Sequence, residues 1–284
     1  MGNDPFMATP EGRVMTLRPI YAVVERELLK MLRQRGRLVA QMVRPMIWLF
    51  VIGAGFGAVM ARQGIVDYQR FLVPGVLGMT MLFGAMLGAL STVYDKESGV
   101  MRLLVIAPVH HAWVVIAKIV SAAVAALVQG VLLLFLLWAL GYMTRDVSFL
   151  LLAAGMIGTS VVCAALGMTV ATFSGTLENY AVMMNLVIFP VFFVSGSLYP
   201  VDMLPDYLRV AALANPFTYG VDVVKHATLA ADSVSFGRPE FGLAVDAAAI
   251  AGFTLVAGVV ACLRFSRDAA CEPLIHQHAR RTQR

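Results

Sequence analysis

Apolar residues along this chain gather in long, nearly unbroken runs, not in the short alternating pattern of a half-buried strand or the narrow stripe of a surface helix. Lipid offers no partner to a bare backbone N–H or C=O, so a segment crossing a bilayer is a helix of about 20 largely apolar residues. Six runs meet that requirement: residues 46–61, extended backwards by 38–43, then 71–93, 114–140, 149–171, 181–198 and 244–263. The pattern predicts an all-α integral membrane protein with six transmembrane helices occupying residues 38–263. Pro190, inside the fifth run, removes one backbone hydrogen bond and is expected to kink that helix.

The polar remainder sorts around these runs. Residues 1–19 read as a flexible leader and residues 264–284 as a solvated tail. Residues 20–37 place Tyr21, Val24, Leu28, Met31 and Leu32 at helical spacing, with Glu25, Arg26, Glu27, Lys30 and Arg33 on the other side. That spacing predicts an amphipathic helix lying along the membrane surface. The stretch 195–242 is punctuated by Pro and Gly yet remains apolar, with short helical pieces around 203–212 and 217–230. A segment of that character is expected to dip back into the membrane or to cap the bundle.

Charge then orients the spans. Arg13, Arg18, Arg26, Lys30, Arg33, Arg35, Arg37 and Arg44 precede the first run or open it, and Arg264, Arg267, Arg280, Arg281 and Arg284 follow the last. An even number of spans puts both ends on one side, and the excess of Lys and Arg makes that side the cytoplasm. Lys96 and Arg102 join them in the loop 94–113, whereas Arg62, Arg70, Arg145, Arg209, Lys225 and Arg238 fall outside. The net charge of +5 thus reflects loop bias and predicts no nucleic-acid partner. Composition agrees: 60% of residues are hydrophobic and 14% charged, against about 45–50% and about 25% in soluble domains.

Candidate chemistry is sparse. Cys163, Cys262 and Cys271 are far apart and form no CxxC pair, so small buried side chains are expected in place of a disulfide or zinc framework. His276 and His278 belong to the tail. Neither GxSxG nor HExxH occurs, and the dipeptide Gly-Lys is absent, which excludes a GxxxxGK[ST] phosphate loop. No catalytic, cofactor-binding or metal residue is assigned. Lys118 and Asp246 are the ionisable groups within the spans, both near span ends, a thin basis for ion-coupled transport. The pairs Gly53/Gly57 and Gly84/Gly88 have the small-xxx-small spacing that lets membrane helices approach closely.

One insert stands out. "YDKESGVMRLLVIAPVHHAWVVIAK", residues 94–118, sets Asp95, Lys96, Glu97 and Arg102 between two apolar runs, with Pro108 as a stop. It reads as a short helix whose apolar side rests on the bundle and whose charged start projects into the cytoplasm. The insert resembles the segment between the second and third spans of ABC-2 type permeases, the membrane subunits of ATP-binding-cassette exporters: an acidic pair, Gly, a Leu pair, Pro-Val, an aliphatic stretch and Lys. The resemblance continues in "FFVSGSLYPVDMLPDYLRVAALANPFTYGVDVVKHATL", through Ser195-Gly196, Pro200, Pro205, Asn215-Pro216, Tyr219 and the basic end.

The resemblance implies a coupling helix at 94–109 that docks in a groove of a separate ATPase, using Asp95, Glu97, Gly99, Arg102 and Pro108. It implies an interface helix at 20–37 beside the same ATPase, and outer re-entrant helices at 195–230. It further implies a homodimer in the cell inner membrane with two ATPase subunits, which would bind ATP and Mg; this chain itself would hold no cofactor. His110 and His111 stand where the family often has Arg or Lys, which leaves their role open, and no residue names the cargo. Outside the resemblance, an ion-coupled carrier, a passive channel and a non-transporting scaffold fit the same spans.

Overall fold

The computed structural model describes residues 24–26, 29, 33, 35–62, 68–100, 111–143, 147–229 and 238–282. Among the described residues the elements are helices and turns, with no strand. Helix α1 (Arg35–Ile47) runs through a π-helical stretch (Trp48–Ile52) directly into α2 (Gly53–Ala61). Pro45 precedes that stretch; lacking an N–H, it interrupts the regular ladder where the wider winding follows. The chain continues as α3 (Tyr68–Glu97), α4 (His111–Ala139), α5 (Phe149–Phe173) and α6 (Leu177–Phe193). A 3-10 turn (Val201–Met203) then leads to α7 (Asp206–Ala214), α8 (Pro216–Thr228) and α9 (Leu243–Thr282).

Among the described residues, five stretches are long and apolar enough to cross a membrane: Ala40–Ala61, Tyr68–Glu97, Ala112–Ala139, Phe149–Phe173 and Leu243–Arg267. The run expected at 181–198 forms a shorter helix, shifted toward the N-terminus: α6 has 17 residues, about 25 Å at 1.5 Å per residue. Thr176 starts it early by accepting a hydrogen bond from Asn179 N–H (3.2 Å). The chain then turns at Ser195–Ser197, with Gly196 in the left-handed region (φ +74°). Most of the amphipathic segment 20–37 lies outside the described residues. The stretch expected as a separate tail continues α9 as helix as far as Thr282; no glycine follows Gly258 to stop it.

Helix α3 is the centre of the bundle: 89% of its apolar window is buried, against 17% for the α1–α2 stretch and 11% for α9. The outer helices therefore offer their apolar faces to lipid or to another chain. What brings neighbours onto α3 is a series of positions without side chains. A Cβ on Gly78 would meet Phe217 and Val221 of α8, one on Gly84 would meet Gln129 and Ala126 of α4, and one on Gly88 would meet Ala122. The pair Gly84/Gly88 is thus spent inside the chain. Of Gly53/Gly57, Gly53 packs on Leu72, and a Cβ on Gly57 would meet nothing within 4 Å among the described residues.

Contacts also give the course of the segment between α6 and α9. Asn215 at the start of α8 donates to Val191 O near the end of α6 (2.7 Å). Gly220 faces Thr159, ten residues into α5, whereas Ala227 O accepts from Ser148 N–H just before α5 begins (3.3 Å). Helix α8 therefore rises from within the bundle toward its edge, buried among α3, α5 and α9.

The tightest approach is at Gly75, where an added Cβ would sit 2.5 Å from the Ser197 carbonyl oxygen. Because that neighbour is backbone, Gly75→Val should cost about 2 kcal/mol or more through overpacking. Gly57→Ala, at an open position, should leave stability within about 1 kcal/mol of the parent. Unfolding of the two purified variants in mixed detergent micelles distinguishes them; equal midpoints would contradict the packing described for α3.

Candidate functional site

The charged insert completes α3 before it leaves the bundle. Tyr94 O accepts hydrogen bonds from Ser98 N–H (2.9 Å) and Ser98 Oγ (2.7 Å), and the chain turns at Gly99 with φ +75°. Gly99 is the left-handed residue that ends a helix. Residues 94–97 thus form the last turn of α3, and Asp95, expected to project outward, faces inward with 6% of its surface exposed. The reason is a partner: Lys118 of α4, itself buried, forms an ion pair with Asp95. Arg26 Nη2 also lies 3.7 Å from Asp95 Oδ2, from the far more exposed N-terminal segment. Arg102, Pro108 and His110 lie outside the described residues.

The two residues that follow reach different helices. Lys96 Nζ donates to the carbonyls of Thr172 (3.0 Å) and Ala171 (3.4 Å), so a cation caps the C-terminus of α5. Glu97 Oε2 accepts from Leu177 N–H (3.1 Å), so a carboxylate caps the N-terminus of α6. Each charge is matched to the end of the helix dipole that it touches. Asp95, Lys96 and Glu97 in sequence therefore bind α4, α5 and α6. At this same end Arg264 of α9 stacks on Phe173 (4.9 Å), so the approach to α1 and the far part of α9 meet the bundle on one side.

At the opposite end the resembling segment is held by its own polar residues. Ser195 and Ser197 hydroxyls bond each other (2.6 Å) beside Gly196, and Tyr68 Oη donates to Leu198 O (2.8 Å). Pro200 and Pro205 precede the 3-10 turn and α7 as their extended entry residues. Asn215 Oδ1 caps α8 by accepting from Phe217 N–H (3.1 Å), and Pro216 occupies the first helical position, where its missing N–H costs nothing. Tyr219 Oη donates to Leu213 O (2.7 Å), joining α8 back to α7. The structure therefore gathers Ser195, Gly196, Pro200, Pro205, Asn215, Pro216 and Tyr219 into one connected corner.

Sequence reasoning missed the charged network behind that corner. Lys225, with 2% of its side chain exposed, bonds Glu240 Oε1 (3.0 Å), which also accepts from Val201 N–H (2.9 Å). Burial pushes the Glu240 carboxyl above its ordinary range, against the pull of the Lys225 ammonium and the Val201 N–H. Asp222 accepts from Glu240 N–H (2.9 Å to Oδ1) and Phe241 N–H (2.9 Å to Oδ2). Asp246 and His226 complete the group. The readable signal was the spacing 222, 225, 226 on one face of an otherwise apolar helix. Counting Lys225 as an outside loop charge concealed it.

Most of the chain matches known proteins. The family model described as ABC-2 type transporter matches residues 18–229. A protein named Nodulation protein J from Rhizobium leguminosarum bv. trifolii is 27% identical over 190 residues, covering 66% of this chain and 72% of that one. A Putative transport permease ycf38 from Cyanophora paradoxa is 24% identical over 217 residues, covering 74% and 73% of the two chains. The Nodulation protein J of Rhizobium meliloti is 27% identical over 205 residues, covering 70% and 77%. With five apolar helices of spanning length and a family match across most of its residues, the chain is a multi-pass membrane protein of the ABC-2 type transporter family.

Proposed function

We propose that this chain is the permease subunit of an exporter: a homodimer in the cell inner membrane, with both termini cytoplasmic, worked by two separate ATP-binding-cassette ATPase subunits that bind ATP and Mg. The carrying observation is the Lys96–Glu97 brace, which fixes the insert to the ends of α5 and α6 through backbone groups. A partner pressing on the loop after Gly99 would act on whole helices, because it would push on their ends. Glu97, Gly99, Arg102 and Pro108 would then form or position the docking element, with Asp95 holding its base against α4. On this reading α6 is a short span, the fifth of six along the chain, and α7 and α8 are the outer re-entrant pair. The cargo would leave the cytoplasm or the inner leaflet between two copies of the chain. Short external loops favour a small amphipathic or lipid-linked molecule.

Copurification tests the assembly. Membranes solubilised in mild detergent should yield this chain with an ATP-binding-cassette ATPase in equimolar amount, as a complex of two copies of each. Arg102→Glu should weaken retention of the ATPase about tenfold, near 1.4 kcal/mol. Recovery of the folded chain with no ATPase, or cargo uptake driven by a pH gradient without ATP, would remove this reading in favour of a carrier.

Coupling is tested separately in the reconstituted complex. Glu97→Arg sets a cation at the positive end of α6 and should cost about 1 kcal/mol there. ATP hydrolysis should persist while cargo-dependent stimulation falls several-fold; an unchanged stimulation would assign the brace to stability alone.

A further inference from the structure

Three groups at the junction of α8 and α9 remain unexplained by transport or by coupling. Asp222 and His226 lie one helical turn apart on α8, and Asp246 lies in the first turn of α9. His226 Nε2 is 3.8 Å from Asp222 Oδ2 and 3.9 Å from Asp246 Oδ2, and one ligand atom from each residue lies within 4.8 Å of the others. Asp246 is fully buried, yet neither of its carboxylate oxygens has a hydrogen-bond partner among the described residues. A buried carboxylate left in that state is strongly disfavoured.

The other charges nearby are engaged. Lys225 pairs with Glu240, and Asp222 is oriented by the Glu240 and Phe241 N–H groups, which leaves it free lone pairs. What remains is two carboxylates and one imidazole around a common point. The geometry points to a divalent cation site of the zinc class, formed by Asp222, His226 and Asp246. One nitrogen and two oxygens suit that borderline ion, and three protein ligands leave a fourth position open. Tetrahedral zinc with bonds of about 2.0–2.1 Å separates its ligand atoms by about 3.3 Å. The imidazole–carboxylate pairs would close by about half an ångström around it, and the two carboxylates, within 4.8 Å of each other, by up to about 1.5 Å.

His226 supplies the approach, being a quarter exposed where the two aspartates are buried. Its Nε2 lies 2.8 Å from Phe241 O. In the metal-free chain Nε2–H donates to that carbonyl; on ligation the neutral ring carries its proton on Nδ1 and Nε2 turns its lone pair to the metal. The ion would neutralise the two carboxylates and staple α8 to α9. This site is independent of any ATPase: it concerns the opposite end of the bundle.

The test uses the full chain, purified in detergent without a polyhistidine tag and with His276→Ala and His278→Ala to remove the tail imidazoles. After dialysis against zinc chloride, elemental analysis should find one zinc per chain, and chelator competition should give its affinity. Asp246→Asn and His226→Gln should each weaken binding at least tenfold, whereas Glu178→Gln, on the exposed start of α6, should not. Saturating zinc should raise the thermal unfolding midpoint of the parent and not of the two site variants. The unmodified site needs no variant to fail: zinc at background level in the parent overturns the proposal. So does equal binding by Asp246→Asn and His226→Gln, or a preference for Mg2+ over zinc.

Discussion

The fold depends on how closely other backbones approach α3. Between helices in lipid the hydrophobic effect gives little drive, so association rests on contact made possible by small residues. Gly75, Gly78, Gly84 and Gly88 admit in turn the Ser195–Ser197 corner, α8 and α4. From the other side Gly167 of α5 fits over Ala85, Met86 and Ala89, and Gly155 of α5 receives Val223 and Val224 of α8. These contacts explain why one helix has 89% of its apolar window buried while its equally apolar neighbours face outward. They also explain how a helix as short as α8 keeps polar residues deep in the molecule: it is enclosed by three others.

Charge is arranged under the same constraint. A group that leaves water must find an opposite charge or a helix end, and both ends of the bundle show how. Asp95 takes Lys118, Lys96 takes the carbonyl end of α5, and Glu97 takes the amide end of α6. At the opposite end Lys225 and Glu240 pair while their neighbour Asp222 binds backbone amides. Three successive charges on one helix turn can serve three separate helices because α3 ends where those helices begin or finish.

Hydropathy made the spans legible because lipid imposes a length and an apolar character that no tertiary contact overrides. Residues 71–93, 149–171 and 244–263 fall within observed helices, and 114–140 overruns the end of α4 by one residue. The fifth run was misplaced because its apolar letters continue past the point where Gly196 turns the chain. Composition does not record a positive φ. Likewise Asp95 was read as exposed because its partner lies 23 residues onward and its burial depends on α3 and α4 lying side by side. The resembling residues between Ser195 and Tyr219 were all legible as a motif, and each has a local task as a cap, a turn, an entry residue or, for Tyr219, a tether to α7. Asp222, His226 and Glu240 escaped notice, and Asp246 was read only as an ionisable group near a span end, because only the packing of α8 against α9 brings the four together.

Position along α3 also constrains how its two ends communicate. Lys225 of the Glu240 network lies 5.4 Å from the Phe71 ring near the beginning of α3, and Lys96 stands near its end. At 30 residues the helix is about 45 Å long, more than the hydrocarbon core of a bilayer. A helix buried along that length and locked by bare-backbone contacts cannot bend freely without opening voids around its glycines. Displacement at the Asp95 end would therefore reach the Ser195–Ser197 corner as movement of α3 and α5 together, since both helices touch both charged ends. Such a displacement would strain the Gly75–Ser197 approach first, where the two backbones have the least room to slide.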